Sequence, residues 1–285
     1  MNRVLIANRG EIACRVIRSC KALGLETVAV YSEADANALH VELAAGAEPI
    51  GPASARASYL NMDAVLAAAR AAQADAIHPG YGFLAENPRF AERVLAEGLI
   101  WIGPRPKTIE DMGDKERARL LAKAAGVPVL PGSPRFAPHD VSGLEEEAER
   151  VGFPLLVKAA AGGGGIGMQR VDGPEKLAGV VDSTQKMAER AFGDGTVYLE
   201  RLVPKARHVE IQVFGFGNGH AVHLFERECS IQRRYQEIVE ECPSPAVDDA
   251  LRAELGAAAV AAGKAIGYTG AGTVEFVLDR DGRFF

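Results

Sequence analysis

Several features that would mark whole classes of protein are scarce or missing in this sequence. No apolar run approaches the ~18 residues of a membrane span, so a membrane protein is not expected. The net charge is −6 and no basic block stands out, which argues against nucleic-acid binding. The four cysteines form no C-x-x-C pair, so zinc or redox chemistry is not predicted. Since the chain enters a strand at Arg3 with no signal-peptide pattern, we expect buried or free thiols in a reducing cytoplasm.

Apolar residues, by contrast, are plentiful: they make up 48% of 285 residues, enough for two domains. The N-terminal third alternates short apolar strands with amphipathic helices. The predicted strands are 3–7, 27–31, 75–78 and 99–102, and the predicted helices are 12–23, 63–72 and 88–96. This alternation predicts a parallel sheet with ligands at the carboxyl ends of its strands. Two polar loops, Asn8–Glu11 and His78–Gly82, follow such ends, and each could be functional or structural.

Gly103–Pro106 interrupts this alternation and marks a predicted domain boundary. Beyond it the pattern changes to hairpins and single helices. The predicted elements are helices 115–125 and 248–266, strands 208–214 and 221–225, and a turn at 217–219. The first of these strands alternates strictly, with Val209, Ile211 and Val213 on one face. The second region therefore predicts a domain of mixed α and β structure.

A glycine-rich segment follows the predicted strand Phe153–Lys158. Gly162–Gly165 and Gly167 leave backbone N–H groups unshielded, so this loop could wrap phosphate oxygens; a merely flexible loop is the alternative. Walker A is not met, because no Lys-Ser or Lys-Thr follows. The dinucleotide pattern G-x-G-x-x-G is formally met, but it should open a helix, whereas Met168–Val171 predicts a return strand. We therefore expect the glycines at a hairpin tip, like a lid over a ligand.

Other positions could meet a nucleotide or its metal. Lys115 and Lys158 are single cations at the start and the end of an element, where each could contact phosphate or remain a solvated lysine. Tyr198–Val203 predicts a short strand whose backbone could hydrogen-bond an adenine edge. Glu275 interrupts the apolar strand Thr273–Leu278. A buried carboxylate there must be paired or bound to a metal such as Mg²⁺, whereas on the polar face of an edge strand it needs no ligand.

Ordered motifs run through the chain from Arg3 to Phe285. They are A-N-R-G-E-I-A at 7–13, H-P-G-Y-G-F-L-A-E-N at 78–87, M-G-D-K at 112–115, V-K-A-A-A-G-G-G-G-I-G-M at 157–168, R-H-V-E-I-Q-V at 207–213, E-R-E-C-S-I-Q-R-R at 226–234 and G-T-V-E-F at 272–276. In these motifs the sequence resembles the biotin carboxylases, the ATP-grasp subunits or domains of acetyl-CoA, propionyl-CoA, methylcrotonyl-CoA and pyruvate carboxylases. The resemblance does not identify the acyl-CoA.

The resemblance implies an α/β fold in which a Rossmann-like parallel-sheet domain, residues 1–110, precedes an ATP-grasp domain, residues 111–285, with a lid over about 131–203. It implies that ATP is bound under this lid. The implied contacts are Lys115, Lys158, Gly162, Gly163, Gly164, Gly165, Met168, Glu200, Leu202, His208, Gln232 and Tyr235. Glu200 and Leu202 are expected at the adenine, and His208 is also a catalytic candidate. Glu275 is expected to be one ligand of Mg²⁺ or Mn²⁺.

The implied reaction is the ATP-dependent carboxylation of biotin. Bicarbonate attacks the γ-phosphate of ATP, carboxyphosphate forms, and CO₂ passes to N1 of carrier-bound biotin. Phosphoryl transfer depends mainly on positioning and charge neutralisation, which suits lysines, a metal ion and glycine amides. The implied partners are bicarbonate, a biotin carboxyl carrier protein or domain and a carboxyltransferase subunit, and the complete protein is expected to form a homodimer.

Two departures from the family pattern bear on activity. The family reads Q-R-R-[HNY]-Q-K where this chain has Gln232–Glu237, so Glu237, a catalytic position, reverses the charge of a lysine that helps to hold bicarbonate. Either the constraint is relaxed or another cation replaces the lost one. The family also continues after Phe285 with E-M-N-x-R-x-x-x-E, which supplies a second metal carboxylate, an arginine and the general base. We therefore expect an incomplete ATP-grasp domain with weak or no activity.

Two other functions stay open at this point. One is a different ATP-grasp ligase, such as half of a carbamoyl-phosphate synthase, although the Q-R-R segment and the H-P-G-Y-G-F loop argue against it. The other is a non-catalytic fragment that binds ATP or dimerises.

Overall fold

The structure is a computed structural model that describes residues 1–161, 167–233 and 236–285, with only the backbone of Lys115. The described chain divides into two compact units, each assembled from separate stretches of sequence. Unit 1 comprises 1–118, 215–220 and 267–271, and unit 2 comprises 119–214, 221–266 and 272–285. In the part of the chain that is described, no helix combines the length and the apolar character needed to cross a bilayer.

Unit 1 contains a parallel sheet with helices between its strands. The strands are β1 (Arg3–Ile6), β2 (Glu26–Tyr31), β3 (Gly46–Pro49), β4 (Ala76–His78) and β5 (Ile100–Trp101). The helices are α1 (Gly10–Ala22), α2 (Leu39–Leu43), α3 (Met62–Ala71), α4 (Pro88–Ala96) and α5 (Pro106–Gly113), and α6 (Lys115–Ala124) contains the division between the units. The strand order is β3-β2-β1-β4-β5 with parallel pairing throughout, as predicted.

The central strand β1 is covered on both faces. Val4 and Ile6 are wholly buried in a cluster that includes Ile17 of α1. Leu5 points to the opposite side and packs in a second cluster with Leu66 of α3 and Phe90 of α4. Side chains alternate across a strand, so a continuous apolar run feeds both clusters at once.

The two polar loops meet where the adjacent strands β1 and β4 end. The wholly buried Asn8 donates from Nδ2 to the carbonyl oxygens of Pro79 (2.8 Å) and Tyr81 (2.9 Å). Gly80 has φ +66°, and a Cβ there would lie 2.7 Å from Nδ2 of Asn8, so only glycine fits. The Tyr81 hydroxyl donates to the Glu11 carboxylate at 2.5 Å. These contacts bring the two loops together and give Asn8 and Gly80 a structural role.

Unit 2 supplies the hairpins and single helices. In chain order its elements are α7 (Leu144–Val151), β6 (Leu155–Ala159), β7 (Met168–Val171), α8 (Leu177–Phe192), β8 (Val197–Arg201), β9 (Arg207–Phe216), β10 (Ala221–Arg233), β11 (Gln236–Glu241), α9 (Asp249–Ala265) and β12 (Thr269–Leu278), the ends of β9 and β12 being assigned to unit 1. They form a three-stranded antiparallel sheet, β7-β6-β8, and a four-stranded sheet, β11-β10-β9-β12. Mixed α and β structure is thus confirmed.

Strand β9 follows the alternation that its sequence predicts. Val209, Ile211 and Val213 are buried in a cluster with Leu255 of α9. Strand β10 runs further than predicted, to Arg233. Phe225 interrupts its alternation with a left-handed φ of +65°, which leaves it exposed beside the exposed Leu224.

The four cysteines are free thiols, as expected: Cys14, Cys20 and Cys229 are buried and Cys242 is exposed.

Candidate nucleotide and metal site

Two nucleotide candidates lie together on the three-stranded sheet. Lys158 of β6 is in register with Met168 of β7 and Tyr198 of β8, and Leu156 is in register with Glu200. Lys158 is therefore diagonal to Glu200, and its Nζ forms an ion pair with that carboxylate. Both side chains are about four-fifths buried, at 20% and 18% exposed. Each neutralises the other, so a phosphate reaching Lys158 would compete with Glu200.

The structure also describes the main chain of Leu202. Its N–H donates to the carbonyl oxygen of Pro154 at 3.0 Å, so a contact between Leu202 and adenine would use another group. Ala159 donates its N–H to Gly167 at 2.8 Å, which continues the antiparallel pairing of β6 and β7 on both sides of the glycine segment. The remaining predicted contacts lie outside the described residues: Gly162, Gly163, Gly164, Gly165, Tyr235 and the side chain of Lys115.

His208 is the meeting point of a second group, on the four-stranded sheet. The amide nitrogen of Gln232, on β10, lies 2.7 Å from His208 Nδ1, and Glu237 Oε1, on β11, lies 3.4 Å from the same atom. Glu275 Oε2, on β12, lies 3.5 Å from His208 Nε2. Gln232 and Glu237 are directly opposite in the β10–β11 register. The four strands thus bring together candidate residues that lie far apart in the sequence.

Glu275 does not have the burial that one reading of its apolar strand predicts. Its side chain is 67% exposed, and β12 is an edge strand of the described sheet. The reading as a buried carboxylate is therefore wrong: alternation along an edge strand turns this one residue to the polar face. Exposure leaves the carboxylate able to bind an ion.

Glu210 belongs to the same face, two residues along β9 from His208, and sequence reasoning did not select it. Its side chain is nine-tenths buried and accepts a hydrogen bond from Nε of Arg227 at 2.6 Å. One donor atom each from His208, Glu210 and Glu275 lies within 4.8 Å of the other two. The strict alternation of β9 was the signal, since it places His208 and Glu210 on one face.

The charges of this cluster shift the pKa values of His208 and Glu237. The Glu275 carboxylate raises the pKa of His208, and Glu237 and Glu210 add to that effect against the opposing cost of burial. Burial raises the pKa of Glu237, the Glu210 carboxylate raises it further, and His208 partly offsets both. The charge of Glu237 is therefore only partly offset, which is an environment that attracts a cation.

A different pair of glutamates on β10 is fully buried. Glu226 accepts hydrogen bonds from Nε and Nη2 of Arg252, both at 2.8 Å, and its side chain is 0% exposed. This fork holds the pKa of Glu226 below its ordinary value despite the cost of burial.

Glu228 holds the start of β9. Ser244 Oγ donates to it at 2.6 Å and Arg207 Nη1 at 3.3 Å, and the hydroxyl of Ser230 donates to the same carboxylate. The backbone N–H of His208 in turn donates to Ser230 Oγ at 2.8 Å. The backbone of His208 is therefore fixed by a buried network.

A parallel α/β unit, a lysine-bearing hairpin and an antiparallel sheet with carboxylates are the parts of an ATP-grasp protein. Residues 1–109 match the family described as biotin carboxylase, N-terminal domain, and residues 114–285 match the family described as carbamoyl-phosphate synthase L chain, ATP binding domain. The chain belongs to the biotin carboxylase family, as its motifs predict.

Its relatives are carboxylases or their subunits. Biotin carboxylase 2 of Bacillus subtilis is 52% identical over 99% of this chain and 64% of its own length. The mitochondrial methylcrotonoyl-CoA carboxylase subunit alpha of Dictyostelium discoideum is 50% identical over 100% of this chain and 41% of its own length. The chain therefore spans less than two thirds of the curated relatives named here.

Solved structures give the same family. The biotin carboxylase–β-γ-ATP complex of Campylobacter jejuni superimposes with a TM-score of 0.94 at 44% identity, over 100% of this chain and 64% of that one. The biotin carboxylase domain dimer of the Hydrogenobacter thermophilus 2-oxoglutarate carboxylase, in complex with MgADP, ADP and bicarbonate, gives 0.92 at 45% identity, over 100% and 62%.

Proposed function

We propose that this chain is the ATP-binding portion of a biotin carboxylase, a ligase that uses ATP and bicarbonate to carboxylate carrier-bound biotin. The observation that carries the proposal is the convergence of His208, Gln232, Glu237 and Glu275 from four strands. The ligands of the two related structures, an ATP species in one and MgADP with bicarbonate in the other, support it.

In this function Lys158 leaves its ion pair with Glu200 and binds a nucleotide phosphate instead. Glu200 is then released and contacts the adenine. Gln232 and His208 are further proposed nucleotide contacts. Lys115, Gly162–Gly165, Met168, Leu202 and Tyr235 remain proposed contacts of the same ligand.

The donors present suit Mg²⁺ or Mn²⁺ held with the nucleotide. Such an ion takes one or two protein carboxylates together with phosphate oxygens, and Glu275 is an exposed carboxylate beside Glu210. When bound, the ion would supply charge neutralisation for phosphoryl transfer.

Further proposals concern the complete protein. The domains are 1–110 and 111–285, with the lid over 131–203. The partners are a biotin carboxyl carrier, a carboxyltransferase and a second copy of the protein, in keeping with the dimer of the Hydrogenobacter relative. A cytoplasmic location is part of the same proposal.

The test of nucleotide binding is Lys158→Ala, measured by calorimetry with ATP and Mg²⁺. Loss of a charge-assisted contact should weaken ATP binding by at least ~10-fold. Lys186→Ala is the matched control, because its exposed ion pair with Asp182 lies on α8. Equal ATP affinity in Lys158→Ala and Lys186→Ala would remove Lys158 from the site.

Glu237 favours a second candidate function, that of a non-catalytic ATP-binding protein. It adds a negative charge at the proposed bicarbonate site, and the nearby imidazole of His208 also lies beside Glu275. The test joins this chain to the C-terminal segment of a relative and compares Glu237 with Glu237→Lys in bicarbonate-dependent ATP cleavage. Because one charge reversal changes both attraction and repulsion, we expect a gain of at least ~10-fold. Equal rates would show that Glu237 is not at the bicarbonate site.

A further inference from the structure

Strands β10 and β11 pair irregularly next to the candidate site. Their register places Glu228 opposite Glu241 and Ile231 opposite Val239, so β10 advances three positions while β11 moves two. The next pair, which contains Gln232, returns to the original register because β11 takes an extra residue there. A β-bulge re-aims the side chains around it, and bulges are frequent next to functional sites. Two compensating bulges thus lie immediately before Gln232 and determine where its side chain points.

The bulged segment of β10, residues 229–230, holds two neighbouring groups in place. The hydroxyl oxygen of Ser230 accepts a hydrogen bond from the backbone N–H of His208 at 2.8 Å. The carbonyl oxygen of Cys229 accepts one from Nε2 of Gln232 at 2.9 Å. The backbone of the histidine and the amide of the glutamine are therefore tied to the same short segment.

The contact with Cys229 determines which way the Gln232 amide faces. A carbonyl oxygen can only accept a hydrogen bond, so the amide atom beside it is the nitrogen and not the oxygen. The same nitrogen lies 2.7 Å from Nδ1 of His208 and directs its second N–H there. Because an amide nitrogen only donates, Nδ1 is the acceptor, and in the neutral imidazole the proton is on Nε2.

The carboxylates beside the ring do not decide between the two tautomers. Glu237 Oε1 lies 3.4 Å from His208 Nδ1 and favours a proton on that atom. Glu275 Oε2 lies 3.5 Å from Nε2 and favours the opposite tautomer. Both distances are long for a hydrogen bond, and they are nearly equal. The shorter contact with the Gln232 amide therefore determines the outcome.

We propose that Gln232 is a positioning residue that fixes His208 in the tautomer with its proton on Nε2, and that the bulged Cys229 carbonyl orients the Gln232 amide. The inference rests on the proposed function, in which His208 contacts the nucleotide. Nε2 is a buried atom that no hydrogen bond satisfies among the described residues. A buried donor without an acceptor is costly, so this N–H suits an acceptor oxygen of the nucleotide, from a hydroxyl or a phosphate group. With the proton on Nδ1, the same oxygen would meet a lone pair.

The tautomer is measured by NMR of the full chain with isotope-labelled histidine, without nucleotide and at a pH where the imidazoles are neutral. Ring-nitrogen chemical shifts distinguish a protonated from an unprotonated nitrogen, and His208→Gln identifies the signals of this ring. We expect Nε2–H to exceed Nδ1–H by at least ~10-fold in the parent. Gln232→Ala removes the donor to Nδ1, so Glu237 can attract the proton and the ratio should fall by at least ~10-fold.

A second variant tests the competition between the carboxylates. Gln232→Ala combined with Glu237→Ala should restore the excess of Nε2–H, because Glu275 then faces the ring without an opposing carboxylate at Nδ1. Nδ1–H as the main tautomer of the parent would overturn the proposal. An unchanged ratio in Gln232→Ala would also overturn it.

Two controls separate this effect from a general disturbance. Glu241→Gln, at an exposed position on β11, is the matched control and should keep the ratio of the parent. His40 is buried in unit 1, where its Nε2 lies 3.2 Å from the carbonyl oxygen of Val30. Since that oxygen only accepts, His40 provides a reference for a ring protonated on Nε2, and its unchanged signals would show that a variant is folded.

ATP affinity links the tautomer to nucleotide binding. In a double-mutant cycle measured by calorimetry, Glu237→Ala should improve ATP binding by at least ~2-fold more in the Gln232→Ala background than in the parent. The reason is that Glu237 attracts the proton to Nδ1 only when Gln232 is absent. Equal gains would overturn the link between the tautomer and ATP binding. A parent chain that binds no ATP would instead remove the proposed function, while the NMR result would still decide the tautomer.

Discussion

Two sets of glutamates in the four-stranded sheet and its surroundings have opposite environments. Glu226 and Glu228 are buried, and each accepts hydrogen bonds from arginine and serine. Glu237 and Glu275 are more exposed and share the imidazole of His208. Carboxylates that are buried and fully paired hold a fold together, whereas a carboxylate such as Glu237, whose pKa is raised by burial and by its neighbour Glu210, is typical of a ligand site. Under the proposed function, the contrast separates glutamates that hold the fold from those proposed to act at the site.

The largest effect should come from breaking the buried set. Arg252→Ala leaves the Glu226 carboxylate buried without its fork, and we expect a loss of roughly 3–5 kcal/mol in the free energy of unfolding, measured by urea denaturation. The double variant Arg252→Met with Glu226→Leu is the control, since it removes both charges and should recover much of the loss. A loss below about 1 kcal/mol in Arg252→Ala would mean that Glu226 finds another partner.

The pH dependence of stability should have opposite signs in the two sets. Arg252 lowers the pKa of Glu226 from its ordinary 4.5, so this residue's contribution is present above pH 4.5 and is lost as the pH falls through the lowered value. The pKa of Glu237 is raised, so its charge is unfavourable at neutral pH and stability is gained as the pH falls through the raised value toward 4.5.

Thermal unfolding of the parent, Glu226→Gln and Glu237→Gln, measured from pH 7 down through the lowered pKa of Glu226, would measure these contributions. Glu226→Gln should flatten the loss of stability at the acid end, and Glu237→Gln should abolish the gain that precedes it. Identical pH profiles for the two variants would contradict the contrast between the two sets.

The smallest effect should be a gain. Glu237→Gln removes one of several neighbouring carboxylates, and like charges on facing strands cost about 0.2–1 kcal/mol, so the metal-free variant should be more stable by roughly that amount. Calorimetric melting in the presence of a chelator would detect it, with Glu241→Gln as the unchanged reference. A lower melting temperature for Glu237→Gln would show that the carboxylate is already compensated in the metal-free state.

The fold was largely predictable because buried faces give helices and strands a regular spacing of apolar residues, and glycine and proline mark the turns between them. Helix α4 has its predicted bounds, and β1, β4 and α9 differ from theirs by one residue at one or both ends. The edge strand β3 and the short α2 beside it were missed: Gly46–Pro49 has no wholly apolar run and no regular alternation. Strand β10 was predicted too short, because the left-handed Phe225 breaks its period midway.

The residues of the candidate site were predictable from the sequence, but their positions relative to one another were not. Motifs nominate His208, Gln232 and Glu275 one at a time, and only strand order brings them together. The ion pair between Lys158 and Glu200 depends on the register of β6 against β8, which no property of either strand alone determines. The alternation of β9 places Glu210 on the same face as His208, but the burial of Glu210 beside Arg227 depends on the pairing of β9 with β10 and could not be predicted.

The discontinuous build of unit 1 has a consequence for genetic dissection. Gly215–His220 and Gly267–Ala271 belong to it, and Arg105 donates from Nη2 to the Gly217 carbonyl (2.7 Å) while the Gly217 N–H donates to Tyr268 (3.0 Å). A gene cut after codon 118 would keep the whole parallel sheet and yet remove the acceptor of Arg105. Recombination that exchanges this unit between related proteins must therefore transfer three separate stretches of coding sequence, and a single crossover would produce a mismatched module.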